Sequence, residues 1–255
     1  MGQSTNVLKS IGTAFNVLEH LKERGGRSVT ELSNELDMPK STVQVYLNSL
    51  AAEDFVVKRD GKYTIGLQFL EYGFFALWNE PVFPQVKPKI EEMAAETGEL
   101  AACFVEECGT AVFIYGTEGD RSIRTDLSMG DRSGLHCTAS GKAIMAHLPA
   151  ARVREIVDRG LDRKTENTIA DPDELLDELE RIRGRGYAYS LEESVENMRA
   201  VAAPVLLDDR VVGSISLAGP ANRFVGEYFE DEIPSIVTGT ANELELKLTY
   251  SESGI

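Results

Sequence analysis

Within the first 66 residues, Gly25-Gly26, Pro39 and Asp60-Gly61 cut the chain into three helical stretches and a hairpin, each too short to fold by itself. Between Thr5 and Arg24, Val7, Ile11, Phe15 and Leu18 recur at steps of four, four and three, and Leu21 continues the stripe. That spacing predicts one face of an amphipathic helix. A second helix is expected from Thr30, as its cap, to about Leu36, with Leu32 and Leu36 inward. Pro39 suits the first turn of a third helix, where its missing N–H costs nothing, and PKSTVQVYLNSLAAEDF extends it to about Asp54. In FVVKRDGKYTIG, strand-forming Phe55–Val57 and Tyr63–Ile65 flank Asp60-Gly61, a strong short hairpin signal. The expected unit is a winged helix-turn-helix.

At about 100° per residue, the third helix brings Val43, Leu47 and Leu50 onto one side and Ser41, Gln44, Val45 and Asn48 onto the other. The second face is small, polar and neutral, and no carboxylate occurs from Pro39 to Ala52. Nothing there repels a phosphate. Gln44 and Asn48 suit adenine and the Val45 methyls suit thymine in a major groove about 12 Å wide. Lys40 and the hydroxyls of Ser41 and Thr42, near the helix start, suit phosphate. Lys58, Arg59 and Lys62 give the wing a basic tip for the backbone or minor groove. The competing reading is a winged-helix module that contacts protein instead of DNA.

Charge separates this head from the remainder. The 255 residues carry a net charge of −16, yet residues 1–62 hold eight Lys plus Arg against eight Asp plus Glu, whereas residues 63–255 hold 18 against 34. A neutral head on an acidic body implies two modules with different duties. The acidity and the preference for Arg over Lys fit a salt-adapted protein, of the kind found in a halophilic archaeon. No apolar run approaches the roughly 20 residues that span a bilayer, and MGQSTNVLKS lacks a signal core, so a cytoplasmic location without membrane contact is expected. Met1-Gly2 is not read as a myristoylation site, because Asn6 stands where Ser or Thr is required.

Residues 67–80, apolar and aromatic through Leu67, Phe69, Tyr72, Phe74, Phe75 and Trp78, read as a linker helix that needs covering, most simply by a second subunit. Pro81, Pro84 and Pro88 are expected to break the pattern before helix resumes at Ile90. Leu100–Glu106, Ala111–Gly116 and Ser122–Leu127 read as strands. Helices over Ala139–His147, Ala151–Arg159 and Pro172–Arg185 follow. Strands return at Tyr187–Leu191, Val201–Leu207 and Val211–Ala218, with Asp208-Asp209 as a hairpin turn, and a helix from about Glu230 to Tyr250 closes the chain. This order describes an α+β domain, residues 81–250, whose antiparallel sheet is covered by helices.

Cys103, Cys108 and Cys137 form no CxxC pair and have only His20, His136 and His147 as partners, so neither a disulfide framework nor a zinc site is expected. Cys103 reads as a small buried hydrophobe. In LHCTASGKAIMAHLP, Ala139, Ser140 and Gly141 open a helix whose free N–H groups make a cradle for one carboxylate, with Gly141 permitting close approach. His136-Cys137 beside Ser140 lacks an orienting acid and a GxSxG elbow, so catalysis is not expected, and no cofactor is implied.

Together MPKSTVQVYLNSL with YTIG, GLHCTASGKAIMAHLP, TENTIADPDELLDELERIRGRGYAYSLEE, VAAPV and VGSISLAGP resemble the IclR family of transcriptional regulators over nearly the whole chain. The resemblance implies residues 1–66 as the DNA-binding domain and a GAF-like effector domain after the linker. It implies homodimers or dimers of dimers on palindromic double-stranded operators, and effectors that are small organic acids, sugars or aromatic acids. It puts ligand carboxylates at Ala139, Ser140 and Gly141, and further pocket positions at Ser190, Ala200, Ser216 and Ala218. Ala200 and Ala218 depart from the more polar or thiol groups of glyoxylate- and pyruvate-responsive members, which favours a larger or less polar effector such as a sugar, sugar acid or aromatic acid. Control of a catabolic operon is expected, with pentose or sugar-acid catabolism as the specific guess.

The acidic body carries one expectation of its own. Dialysis from molar into millimolar KCl should abolish cooperative thermal unfolding followed by circular dichroism, and an unchanged melting curve would remove salt adaptation.

Overall fold

The computed structural model describes residues 7–252, so Met1, Gly2, Asn6 and the Thr5 start expected for the first helix lie outside the described residues. The chain divides into two compact units between Ala76 and Leu77.

In the first unit, α1 (Lys9–Arg24), α2 (Val29–Glu35) and α3 (Lys40–Ala52) precede the hairpin of β1 (Val56–Arg59) and β2 (Lys62–Ile65). Val17, Leu18 and Leu21 of α1 close on Leu32, Val43, Leu47, Val56 and Tyr63. The expected stripe is therefore half right. Val7, Ile11 and Phe15 are exposed, because this small core reaches only the second half of α1. Ser28, not Thr30, caps α2: its hydroxyl accepts from the Glu31 amide at 3.3 Å and its amide donates to Glu31 Oε2 at 2.7 Å. The reciprocal box needs an acid three residues on, and a cap at Thr30 would have found Ser33 there. Those bonds to Ser28 hold the Glu31 carboxyl below its usual range.

Asp60 and Gly61 both take positive φ, 50° and 80°, as the two-residue turn of a twisted hairpin requires. Arg27 pairs with β2 from outside the hairpin, through an isolated backbone bridge to Tyr63. After it, α4 (Gln68–Trp78) contains the division between the units and has no buried residue. Phe69 packs against Phe55 with the rings tilted by 55° and their centroids 4.8 Å apart, while Leu70, Tyr72, Phe74, Phe75 and Trp78 stay exposed.

The second unit opens with α5 (Phe83–Thr97), which runs through Pro84 and Pro88. The expected break is present over residues 79–82, around Pro81, but helix resumes at Phe83 and not at Ile90, because Pro84 sits in the first turn, where no N–H is needed, and Val86, Ile90 and Met93 anchor the helix on the core. A six-stranded antiparallel sheet follows, built from β3 (Leu100–Glu107), β4 (Thr110–Glu118), β5 (Arg132–Gly134), β6 (Ala188–Leu191), β7 (Met198–Leu207) and β8 (Arg210–Pro220), in the order β5-β4-β3-β8-β7-β6. Ser122–Leu127, expected as a strand, is part of an irregular connection, and β5 forms the sheet edge beside β4. Between β5 and β6 lie α6 (Ala139–Met145), α7 (Ala150–Val157) and α8 (Pro172–Arg185). Asp208 and Asp209, both at positive φ, turn β7 into β8, and a wide turn at Tyr228–Glu232 leads into α9 (Ile233–Glu252). The architecture is α+β, as expected.

Alternation along the strands gives the sheet two unlike faces. Cys103, Val105, Val201, Val205, Ile215 and Leu217 point into one core with Ile90 of α5 and Val237 and Leu244 of α9. Cys103 is fully buried there, and burial pushes its thiol well above the usual range. The opposite face is made of small side chains in register: Ala102 opposite Ser216, Ala200 opposite both Ala218 and Ser190. Towards α8, Ala188 and Ala202 of this face meet Leu175, Leu179 and Ile182.

The capping box can be tested alone. Ser28→Ala should lower stability by about 1 kcal/mol and Ser28→Gly by only a few tenths, read as shifts of the urea midpoint at constant slope.

Candidate functional site

Two sites emerge, one in each unit. On α3, Ser41, Val45 and Asn48 are exposed, Val45 at 62%, and Gln44 and Thr42 are half-buried beside exposed Lys40. The polar face expected from the sequence is therefore open and not sealed beneath another layer of its unit. Lys58, Arg59 and Lys62 are exposed on the hairpin. Lys58 Nζ lies 5.2 Å from the centre of the Tyr63 ring, and Lys62 Nζ is 3.9 Å from Glu31 Oε1, a surface pair worth little that leaves the ammonium available. Gln44 Nε2 donates to Asn48 Oδ1 at 2.8 Å and to the Tyr63 hydroxyl at 3.0 Å. This contact between α3 and the hairpin is invisible to helical periodicity.

In the second unit, a cavity of about 600 Å³ sits over the small-residue face of the sheet. Ala139, Ser140, Ser190, Ala200, Ser216 and Ala218 all line it, so six of the seven effector positions expected from the sequence come together. Gly141 does not line it. Its amide donates to the Thr138 hydroxyl at 3.0 Å, and a Cβ there would meet the Leu135 carbonyl at 2.2 Å, so this glycine admits the chain's own backbone and not a ligand. Thr138 thus consumes the Gly141 and Lys142 amides and leaves those of Ala139 and Ser140 for an anion.

Sequence reasoning missed three charged wall residues, Arg124, Asp126 and Arg199. Arg124 and Asp126 were hidden in the segment read as a strand; a cation inside an acidic connecting stretch was the available signal. Arg199 Nη1 donates to the Phe224 carbonyl at 3.0 Å and Nη2 lies 3.5 Å from Glu192 Oε1, while its buried Nε has no partner among the described residues. Phe104, Leu100, Leu127 and Met198 supply apolar walls.

Behind the cavity, Lys142 Nζ donates to both oxygens of Glu193 at 2.6 Å, with the lysine side chain only 1% exposed. Burial pushes the Glu193 carboxyl above its usual range, against the pull of the ammonium. The Glu193 carbonyl accepts from Thr168 Oγ1 at 2.7 Å and from Thr165 Oγ1 at 3.3 Å, and its carboxylate accepts from the Leu191 amide at 3.2 Å. One residue thereby ties α6, the 165–168 turn and the end of β6, just before Ser194 and Val195 reach the cavity wall.

The His136–Cys137–Ser140 group is not assembled for nucleophilic chemistry. His136 Nε2 lies 2.9 Å from the Asp162 carbonyl, Cys137 Sγ faces the Gly134 carbonyl at 3.5 Å, and burial pushes the Cys137 thiol up.

Residues 74–246 match the model of the bacterial transcriptional regulator IclR C-terminal domain, and residues 10–60 match that of the IclR helix-turn-helix domain. The chain belongs to the IclR family. It is a regulator and not an enzyme, and its winged helix is that of a DNA-binding family. Among its relatives, a Halobacterium salinarum protein named "Probable HTH-type transcriptional regulator ArcR" is 29% identical, with 94% of each chain covered. This halophilic relative agrees with the salt-adapted composition. The crystal structure of Thermotoga maritima IclR superposes with a TM-score of 0.81 at 31% identity, covering 95% of this chain and 99% of that one. An IclR homolog from Microbacterium hydrocarbonoxydans, complexed with 4-hydroxybenzoate, has the same fold, with a TM-score of 0.78 at 19% identity over 94% of this chain and 99% of that one.

Because a lone buried charge is costlier than a buried pair, Lys142→Met alone should lose about 3–5 kcal/mol of stability. The double variant Lys142→Met with Glu193→Leu should recover most of that loss in chemical denaturation.

Proposed function

We propose that this regulator binds a palindromic operator as a homodimer or a pair of dimers and changes its operator affinity when a small organic acid enters the cavity. The observation that carries the reading is the cavity itself, with two free helix-start amides and two arginines around a floor of alanine and serine. The amides of Ala139 and Ser140 bind the carboxylate, and Arg124 or Arg199 adds a charged partner. A compact apolar or aromatic body then fits over Ala102, Ala200 and Ala218, with Phe104 and Met198 beside it. A sugar or sugar acid, the pentose-catabolism reading, would instead use the hydroxyls of Ser140, Ser190, Ser194 and Ser216 and the carboxylate of Asp126. The 4-hydroxybenzoate held by the Microbacterium relative supports an aromatic acid.

Ser41, Gln44, Val45 and Asn48 read bases, Lys40 and Thr42 hold phosphates, and Lys58, Arg59 and Lys62 steady the wing on the backbone. In a salty cytoplasm, where phosphate attraction is screened, neutral base contacts carry a larger share of affinity. The exposed Leu70, Phe74, Phe75 and Trp78 of α4, with Val7, Ile11 and Phe15, supply the apolar area for a second copy of the chain. Because α4 runs from one unit into the other, it is the element through which effector binding biases the spacing of two heads. A coupling of about 1–3 kcal/mol changes operator affinity about 5- to 150-fold. Among the described residues, no helix is long and apolar enough to cross a membrane, in keeping with a protein that works beside its DNA.

The test is fluorescence anisotropy of the full chain on DNA from upstream of its own gene, with a panel of aromatic and aliphatic acids. Ala218→Phe, which fills the cavity, should leave ligand-free operator affinity within about twofold and abolish the response to the acid. A full response from that variant would place the effector elsewhere.

A further inference from the structure

We infer that Gln44 and Asn48 act as one composite reader of adenine, and that Tyr63 of the wing is the residue that positions it. The inference rests on the DNA-reading role proposed for α3 and deepens it. Both protons of the Gln44 amide are occupied, one by Asn48 Oδ1 at 2.8 Å and one by the Tyr63 hydroxyl at 3.0 Å. Two polar atoms then remain without a hydrogen bond among the described residues: Gln44 Oε1, an acceptor, and Asn48 Nδ2, a donor. Rotating both amides by 180° exchanges the roles, with Tyr63 donating to Gln44 Oε1, and again leaves one acceptor and one donor unbonded, now in reversed order. Either order matches an edge that presents one donor beside one acceptor, read in opposite directions.

Adenine alone among the bases presents a donor beside an acceptor on its major-groove edge, N6–H next to N7; guanine presents two acceptors, cytosine one donor and thymine one acceptor. A G·C pair offers an acceptor and a donor only across its two bases and has no methyl group. Val45, exposed on the same face, supplies apolar contact for the thymine methyl of an A·T pair. The anchor is stiff. Tyr63 is buried in the head core, its backbone is paired with Arg27, and Lys58 covers its ring, so its hydroxyl is a fixed point for a half-buried glutamine. A glutamine alone on a helix would have to order its own side chain on binding, and the tyrosine removes that freedom beforehand.

The experiment is selection of duplexes from a randomised library by the full chain in fixed KCl, followed by affinity measurements on single-base variants of the enriched site. The wild type should discriminate A·T from the other pairs at one position per half-site by about 5- to 150-fold. Tyr63→Phe, which keeps the ring and its packing, should lower that discrimination at least about threefold, with the dependence of affinity on salt unchanged. Asn48→Asp, at an exposed position, replaces the donor by an acceptor and should remove the preference for adenine altogether. Lys40→Ala should weaken all sequences alike and flatten the salt dependence. If the wild type selects no motif, the DNA-reading role of α3 fails. A selected motif that Tyr63→Phe and Asn48→Asp leave unaltered, or a G·C pair at the read position, overturns the composite reader while the regulator stands.

Discussion

The two unlike faces of one antiparallel sheet determine what the larger unit can do. Strand alternation forces every second residue of β3, β8, β7 and β6 to the same side. One side carries Val, Ile and Leu and is sealed by α5 and α9. The other carries Ala102, Ala200, Ala218, Ser190 and Ser216, which are too short to reach the helices opposite, and the space they leave is the cavity. Close packing of the first face holds the sheet rigid enough for the second to stay hollow. The Lys142–Glu193 pair fixes the far wall, where the buried Glu193 gathers α6 and the end of β6 through its carboxylate and the 165–168 turn through its backbone carbonyl.

The head solves a different problem with a smaller core. Eight buried residues hold three helices and a hairpin, and its polar surface near α3 is organised by hydrogen bonds in place of charge. In a chain with such an excess of carboxylates, their absence from Pro39 to Ala52 removes the repulsion a phosphate backbone would otherwise meet there. The basic wing tip then supplies attraction beside that neutral face.

Much of this was legible in the residues. The third helix, the Asp60-Gly61 and Asp208-Asp209 turns and the Pro172 helix start carry local chemistry strong enough to override context, and six residues that line the cavity were grouped by family resemblance. Failures came where a local signal had two solutions. Val7, Ile11 and Phe15 keep helical spacing, but periodicity says which residues share a face and not whether a core reaches them. Pro84 and Pro88 look like breakers until the first turn of α5 is located. Ser122–Leu127 has strand composition, yet β5 occupies the edge beside β4. That misreading hid Arg124 and Asp126, and no periodicity reveals the Tyr63–Gln44 contact, because it joins two elements 19 residues apart.

The alanine and serine floor has an evolutionary consequence. A methyl group added at Ala102, Ala200 or Ala218 would project into empty volume and not into packed neighbours, so each such change can retune chemical taste with little penalty to folding. Under the function proposed above, single steps at this floor would change which metabolite is held while α3 and its wing stay as they are.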